Sequence, residues 1–188
     1  MTAKSDNLVW IDLEMTGLDV ERDAILEIAV IITDGNLENG IEGPDLVISA
    51  SQSQLDRMVP VVKHMHAKSG LSERVLAATL TVKDAERQVL AFVKQHIPEP
   101  GVAPLAGNSI HTDRSFLVKH MPKLVDHLHY RIVDVSTLKE LARRWMPDRL
   151  TDAPVKGGGH RALVDIQESI EELRYYRTVL FQEPQLPQ

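Results

Sequence analysis

Leu8-Val9-Trp10-Ile11-Asp12-Leu13-Glu14-Met15 is an apolar run broken at two alternate positions by acids. Side chains of an extended strand alternate between its faces, so Asp12 and Glu14 project together from a segment otherwise suited to burial. Two carboxylates held a few ångströms apart repel each other and resist desolvation, so they share a proton or take up a cation. An all-oxygen site of this kind suits Mg²⁺ or Mn²⁺. An edge strand with two solvated acids is the alternative that this run alone leaves open.

Outward from this run, two further strands are expected, Ile25 to Thr33 and Leu46 to Ala50. Asp34-Gly35-Asn36 and Glu42-Gly43-Pro44 supply turn chemistry at hairpin-like distances, which predicts antiparallel pairing. Pro60 interrupts a helical pattern over Ser53 to His66, and Ser69-Gly70 breaks the chain before a short helix near Ser72 to Ala78. Thr81-Val82-Lys83-Asp84 is a capped start for a helix to about His96, with Ala85, Val89, Phe92 and Val93 at helical spacing. A short strand, Ala103 to Ala106, leads through Gly107-Asn108-Ser109 into a helix beginning near Thr112. Arg131 to Val135 reads as a strand, with Ser136 capping a helix to about Trp145. Pro147 to Gly159 is the least regular stretch, and Gly157-Gly158-Gly159 frees the backbone just before His160. A last helix, Arg161 to about Phe181, places Leu163, Ile166, Ile170 and Leu173 on one stripe for packing against the sheet.

The 188 residues suit one domain, with termini that fray. Hydrophobic content of 43% and charged content of 26% are those of a globular protein. No apolar stretch approaches the roughly 18 residues that span a bilayer, and Met1 to Asn7 lacks the core of a signal peptide. No membrane association is expected. The absence of cysteine excludes disulfides, thiolate catalysis and Cys-ligated zinc, and is compatible with the expected cytoplasmic location. A net charge of −6 argues against gripping long nucleic acid through many phosphates, while leaving room for short phosphorylated ligands.

Three further residues complete an acidic constellation. Asp113 falls in the first turn of a helix, Asp165 near the start of the last one, and His160 five residues before it. Singly, they also read as two helix-dipole acids and a surface histidine. Together with Asp12-x-Glu14, the pattern resembles the DEDD exonuclease superfamily in its histidine branch. Trp10 to Leu18, Gly107-Asn108-Ser109-Ile110, His129-Tyr130-Arg131, Asp134 to Leu141 and Arg143-Arg144-Trp145 carry the resemblance into the oligoribonuclease family. It covers roughly residues 8 to 181.

The resemblance implies an α/β RNase H-like fold, a mixed central sheet flanked by helices. It implies that Asp12, Glu14, Asp113 and Asp165 hold two divalent cations, with His160 as general base. A neutral imidazole, of unperturbed pKa about 6.5, suits that role near neutral pH. The implied reaction is 3′→5′ hydrolysis of very short RNA, dinucleotides above all, to nucleoside 5′-monophosphates. For the substrate, it implies Leu18 as a wedge between bases and Asn108 among the binding residues. His66, Ser109, Arg131, Ser136 and Thr137 would grip the terminal 5′-phosphate, with Tyr130 reaching in from the second subunit of a homodimer. No other stable protein partner is implied. Many members carry a tryptophan just upstream of the His66 position, where this chain has Val61 and Val62. The rival readings are a proofreading-type DNA exonuclease of the same superfamily and a nucleotide-binding module without turnover.

Overall fold

A computed structural model describes residues 6–154, 157, 159 and 161–181. Strands β1 (Leu8–Met15), β2 (Ile25–Thr33), β3 (Ile41–Val47), β4 (Pro104–Gly107) and β5 (His129–Asp134) form one sheet in the order β3-β2-β1-β4-β5. The expected antiparallel pairing holds for β1, β2 and β3, whereas β4 and β5 run parallel to β1, so the sheet is mixed.

Alternation along β1 sorts the core. Val9, Ile11 and Leu13 face a layer built with Ile28, Val30 and Ile32 of β2. Helices α4 (Val82–His96), α5 (Ile110–His120) and α6 (Pro122–His127) cover that side. Trp10, with Ala29 and Ile31, faces the opposite side, covered by α7 (Val135–Trp145) and α8 (Ala162–Leu180). The Trp10 indole N–H donates to Thr33 Oγ1 at 2.9 Å, so even this buried polar atom is satisfied. Ile166 and Ile170 of the expected α8 stripe are buried there, with Leu163 and Leu173 packed beside them. The short helices α1 (Gln52–Asp56), α2 (Pro60–Lys68) and α3 (Leu71–Ala77) enclose a third cluster, Leu26, Leu55, Met58, Leu71 and Val75.

Two local expectations are corrected. The third strand runs over Ile41–Val47 rather than Leu46 to Ala50, and includes Pro44. Because β3 is the sheet edge, the missing proline N–H has no ladder partner to lose, and a register shift opposite Ala29/Ile31 absorbs the irregularity. The pattern over Ser53 to His66 is interrupted as expected: α1 ends at Asp56, and Pro60 begins α2 at its first turn. Helix α7 is capped by Asp134, whose side chain accepts from the Ser136 N–H, so Ser136 lies inside the first turn. A short 3₁₀ turn, Pro147–Leu150, occupies part of the stretch read as irregular. Among the described residues no helix is long and apolar enough to cross a membrane.

Candidate active site

The even residues of β1 share their side of the sheet with α8, so Asp12 and Glu14 look toward the first turn of that helix, which carries Asp165. Ligand oxygens of Asp12, Glu14 and Asp165 all lie within 4.8 Å of one another. Asp113 approaches from α5 by a different route. Strand β4 pairs with β1 only at Val9 and Trp10, so beyond that point β1 has no strand on this flank. The Leu13 N–H instead donates to Asp113 Oδ1 at 3.0 Å. The turn after β4 is tight enough that a Cβ on Gly107 would lie 2.8 Å from Ile110 Cδ1 and 3.2 Å from the Ile11 carbonyl. That close approach brings α5, and Asp113 with it, to the carboxyl end of β1, where parallel strands of open sheets present their sites.

Two of the four acids, Glu14 and Asp113, are buried. Burial, reinforced by the charges of Asp165, Glu27 and Asp113 and opposed by Arg161, pushes the Glu14 carboxyl up to about 8. Burial likewise pushes Asp113 up to about 7, against the stabilising hydrogen bond from Leu13. Convergent carboxylates with so high a proton affinity are a donor set for hard divalent cations, which replace the protons.

Both groups have folded-state pKa values raised above ordinary ones, from 4.5 and 3.8 respectively. The folded chain therefore holds protons that the unfolded chain releases, and cation-free stability is expected to fall as pH climbs from about 5 to about 8. Mg²⁺ should restore more of the melting temperature near pH 8 than near pH 6, since fewer protons need displacing there. Thermal denaturation in chelator and in Mg²⁺ across this range checks the sign. A chelated protein that grows steadily more stable up to pH 8 would contradict it.

The loop after β1 holds Leu18 outward. Thr16 Oγ1 donates to Asp23 Oδ1 and the Asp19 N–H to Asp23 Oδ2, each at 2.9 Å, while the Thr16 N–H donates to the Ala24 carbonyl at 3.0 Å. Gly17 has no room for a side chain here, since its Cβ would stand 2.4 Å from Asp23 Oδ2. Leu18 is 77% exposed at the loop tip, not folded back on the core.

The remaining expected residues divide. Ser109, Ser136 and Thr137 line one open pocket of ≈ 560 Å³ with His111, Asp134 and Arg144. Asp134 organises it: its Oδ1 accepts from the Ser109 N–H at 2.9 Å, and Ser136 Oγ donates a short hydrogen bond to the same oxygen. Arg131 and Tyr130 are exposed on β5, the guanidinium carbon 5.4 Å from the tyrosine ring centre. His66 and Asn108 turn their polar atoms inward. His66 is 1% exposed, its Nε2 2.9 Å from the Met15 carbonyl and its Nδ1 3.8 Å from Glu14 Oε2. The Asn108 amide donates to Ser169 Oγ and Glu172 Oε2, both at 2.9 Å, tying the β4–α5 turn to α8. Val61 is exposed, whereas Val62 packs on the α1–α3 cluster, so only one valine of the pair faces solvent. His160 lies outside the described residues.

Two residues of this region were not singled out by the sequence reading. Asp134 was missed because Asp and Ser cap helices about equally well. Glu27 is fully buried on β2, directly across from Glu14. Its signal was available: a lone acid inside Ile25-Leu26-Glu27-Ile28-Ala29-Val30-Ile31-Ile32.

A mixed sheet with helices on both sides and acids gathered at the carboxyl end of its first strand defines the class. The exonuclease family model RNase_T matches residues 9–173. A solved exonuclease I from Methylocaldum szegediense superposes with a TM-score of 0.65 at 21% identity over 92% of this chain, and the chain spans 40% of that structure's length. The fold is the RNase H-like fold of the exonucleases. The mouse protein named "Oligoribonuclease, mitochondrial" is 52% identical over 177 residues, which are 94% of this chain and 74% of that one. The Streptomyces avermitilis protein named "Oligoribonuclease" is 54% identical over 94% of this chain and 88% of its own length. The chain belongs to the exonuclease family and, within it, to the oligoribonucleases.

Proposed function

We propose that this enzyme, a single-domain 3′→5′ exoribonuclease, removes nucleoside 5′-monophosphates from very short RNA, dinucleotides above all. The convergence of Asp12, Glu14 and Asp165 within 4.8 Å, with Asp113 docked on the same strand, carries the reading. These four carboxylates would hold two divalent cations, Mg²⁺ or Mn²⁺. When bound, such ions neutralise charge on the scissile phosphate and make water acidic enough to attack it. His160 takes the proton released as water oxygen bonds to phosphorus, and the bond to the O3′ of the preceding nucleotide breaks.

Leu18, exposed on a braced tip, is the apolar wedge that separates the two bases. The pocket of Ser109, Ser136 and Thr137, with Arg131, takes the 5′-phosphate. Binding both ends of two nucleotides leaves no room for a long chain, which reconciles RNA chemistry with a net charge of −6. Hydrolysis of 5′-phosphorylated RNA from two to seven nucleotides, beside DNA of the same lengths, tests the reading. Preference for the RNA dinucleotide supports it, and equal or better turnover of long DNA favours a proofreading-type enzyme. The cytoplasmic location belongs to this proposal on sequence grounds alone.

Arg131→Ala is expected to weaken binding of a 5′-phosphorylated dinucleotide by about 1.5–3 kcal/mol, the range of a charge-assisted hydrogen bond. Its unphosphorylated counterpart should lose far less. Calorimetric titration of both ligands measures the difference, and equal losses would remove the phosphate cap.

Tyr130 is 72% exposed, in keeping with a role across a homodimer. An Asp12→Ala chain mixed with a Tyr130→Ala chain then forms heterodimers in which one site is complete. Dinucleotide turnover should reappear above both parents. Verified subunit exchange without recovery would confine Tyr130 to its own chain.

A further inference from the structure

Glu27 is a fifth carboxylate on the active face, directly across from Glu14 in the sheet. It is 0% exposed, and both its oxygens are occupied by donors of the protein. Oε1 accepts from Arg161 Nε at 3.1 Å and from Arg74 Nη1 at 3.2 Å. Oε2 accepts from the Ala162 N–H at 3.1 Å and from Arg161 Nε at 3.3 Å. A buried carboxylate so surrounded is held by two arginines and a backbone N–H, and its bonds run to the protein itself.

The donors are what matter for the reaction. Arg161 caps the start of α8, and its carbonyl accepts from the Asp165 N–H at 3.0 Å. Ala162 is the first residue of that helix. Glu27 therefore clamps the helix turn that carries Asp165, from the residue lying opposite Glu14 in the sheet. The same clamp holds Arg161, next in sequence to His160. Arg161 extends it to β3, with Nη2 3.6 Å from Asp45 Oδ2, and Arg74 extends it to α3.

On the reading of Asp165 and His160 given above, we propose that Glu27 is a positioning residue of the reaction. Through Arg161 and the Ala162 N–H it sets Asp165 against Asp12 and Glu14. A charged clamp suits this role better than apolar packing. Paired donors and acceptors fix direction as well as distance, and misplacement by about 1 Å at a reacting centre costs on the order of 10²-fold in rate.

Glu27→Gln, which keeps an acceptor for Ala162 but loses the charge, is the informative variant. Arg161→Gln accompanies it, because its side chain is 32% exposed and its loss leaves the buried Glu27 hydrogen-bonded to Ala162 and Arg74. Three quantities are read per folded molecule: kcat and KM on a 5′-phosphorylated dinucleotide, and Mn²⁺ affinity of the substrate-free protein by electron paramagnetic resonance. Each variant is expected to lose about 10–100-fold in kcat with KM nearly unchanged, and to bind Mn²⁺ more weakly, as when groups supporting metal ligands are removed. The double variant should be no worse than the poorer single one, since the two residues act as a unit. Activity lost only in proportion to the unfolded fraction, with Mn²⁺ affinity unaltered, would overturn the proposal. If Glu27→Gln does not fold, wild-type kcat and Mn²⁺ affinity in Arg161→Gln would do the same. A wild-type chain inactive on RNA would instead sink the exoribonuclease reading and leave the Mn²⁺ comparison standing.

Discussion

Replacing Asp12 or Asp165 with alanine is expected to lower dinucleotide turnover by about 10³-fold, on the order of 4 kcal/mol of barrier, without unfolding the chain. The two carboxylates come from elements that hold their shape for other reasons. Asp12 sits between Ile11 and Leu13, whose burial keeps β1 in the sheet, and Asp165 rides a 19-residue helix anchored by Ile166 and Ile170. Removing either leaves that packing intact. The charge of Asp165 is among the causes that raise the Glu14 pKa, so deleting it relieves repulsion. The cation-free melting temperature should therefore hold or rise while activity disappears. More than about a tenth of wild-type turnover in Mg²⁺ would be incompatible with the assigned ligand set, since cation positioning accounts for several kcal/mol of such a barrier.

His160→Ala should cost about 10²–10⁴-fold in the hydrolytic step, the range for loss of a general base. Ground-state affinity for a dinucleotide should barely move, because the residues proposed for the phosphate cap and the base wedge belong to other segments. Cation affinity should be similarly preserved, with the four carboxylates untouched. Single-turnover rates and calorimetric cation titrations separate these outcomes. A defect concentrated in cation binding would make His160 a ligand and remove it from proton transfer.

Legibility in the sequence followed the range of the interactions. Period-two alternation in β1 is local, so Asp12 and Glu14 announced their shared face without any tertiary knowledge. The same holds for β2, for α4 behind its Thr81 cap and for the stripe on α8. Asp113 was visible only as a first-turn helix acid; its contact with Leu13 spans 100 residues and depends on where β4 stops. For His66 and Asn108 the family motifs suggest ligand contacts, while local sequence does not say which way a polar side chain turns. The structure turns one toward Met15 and Glu14, the other toward Ser169 and Glu172. Pro44 misled in the opposite sense: a residue that ends inner strands is tolerated on an edge, and edge status is a property of the whole sheet.

The alternation of β1 also guards the fidelity of folding. A slip of one residue against β2 would exchange the two faces, sending Asp12 and Glu14 into the hydrocarbon layer beneath α4 and α5 and expelling Val9, Ile11 and Leu13 into the site. Each misplaced carboxylate would need a proton or a counter-charge that this layer, apolar in the cluster around β1, does not offer. Acids that strain the correct pairing thus penalise the nearest incorrect one far more heavily. The acids proposed to hold the cations double as a check that the strand has been laid down in the right frame.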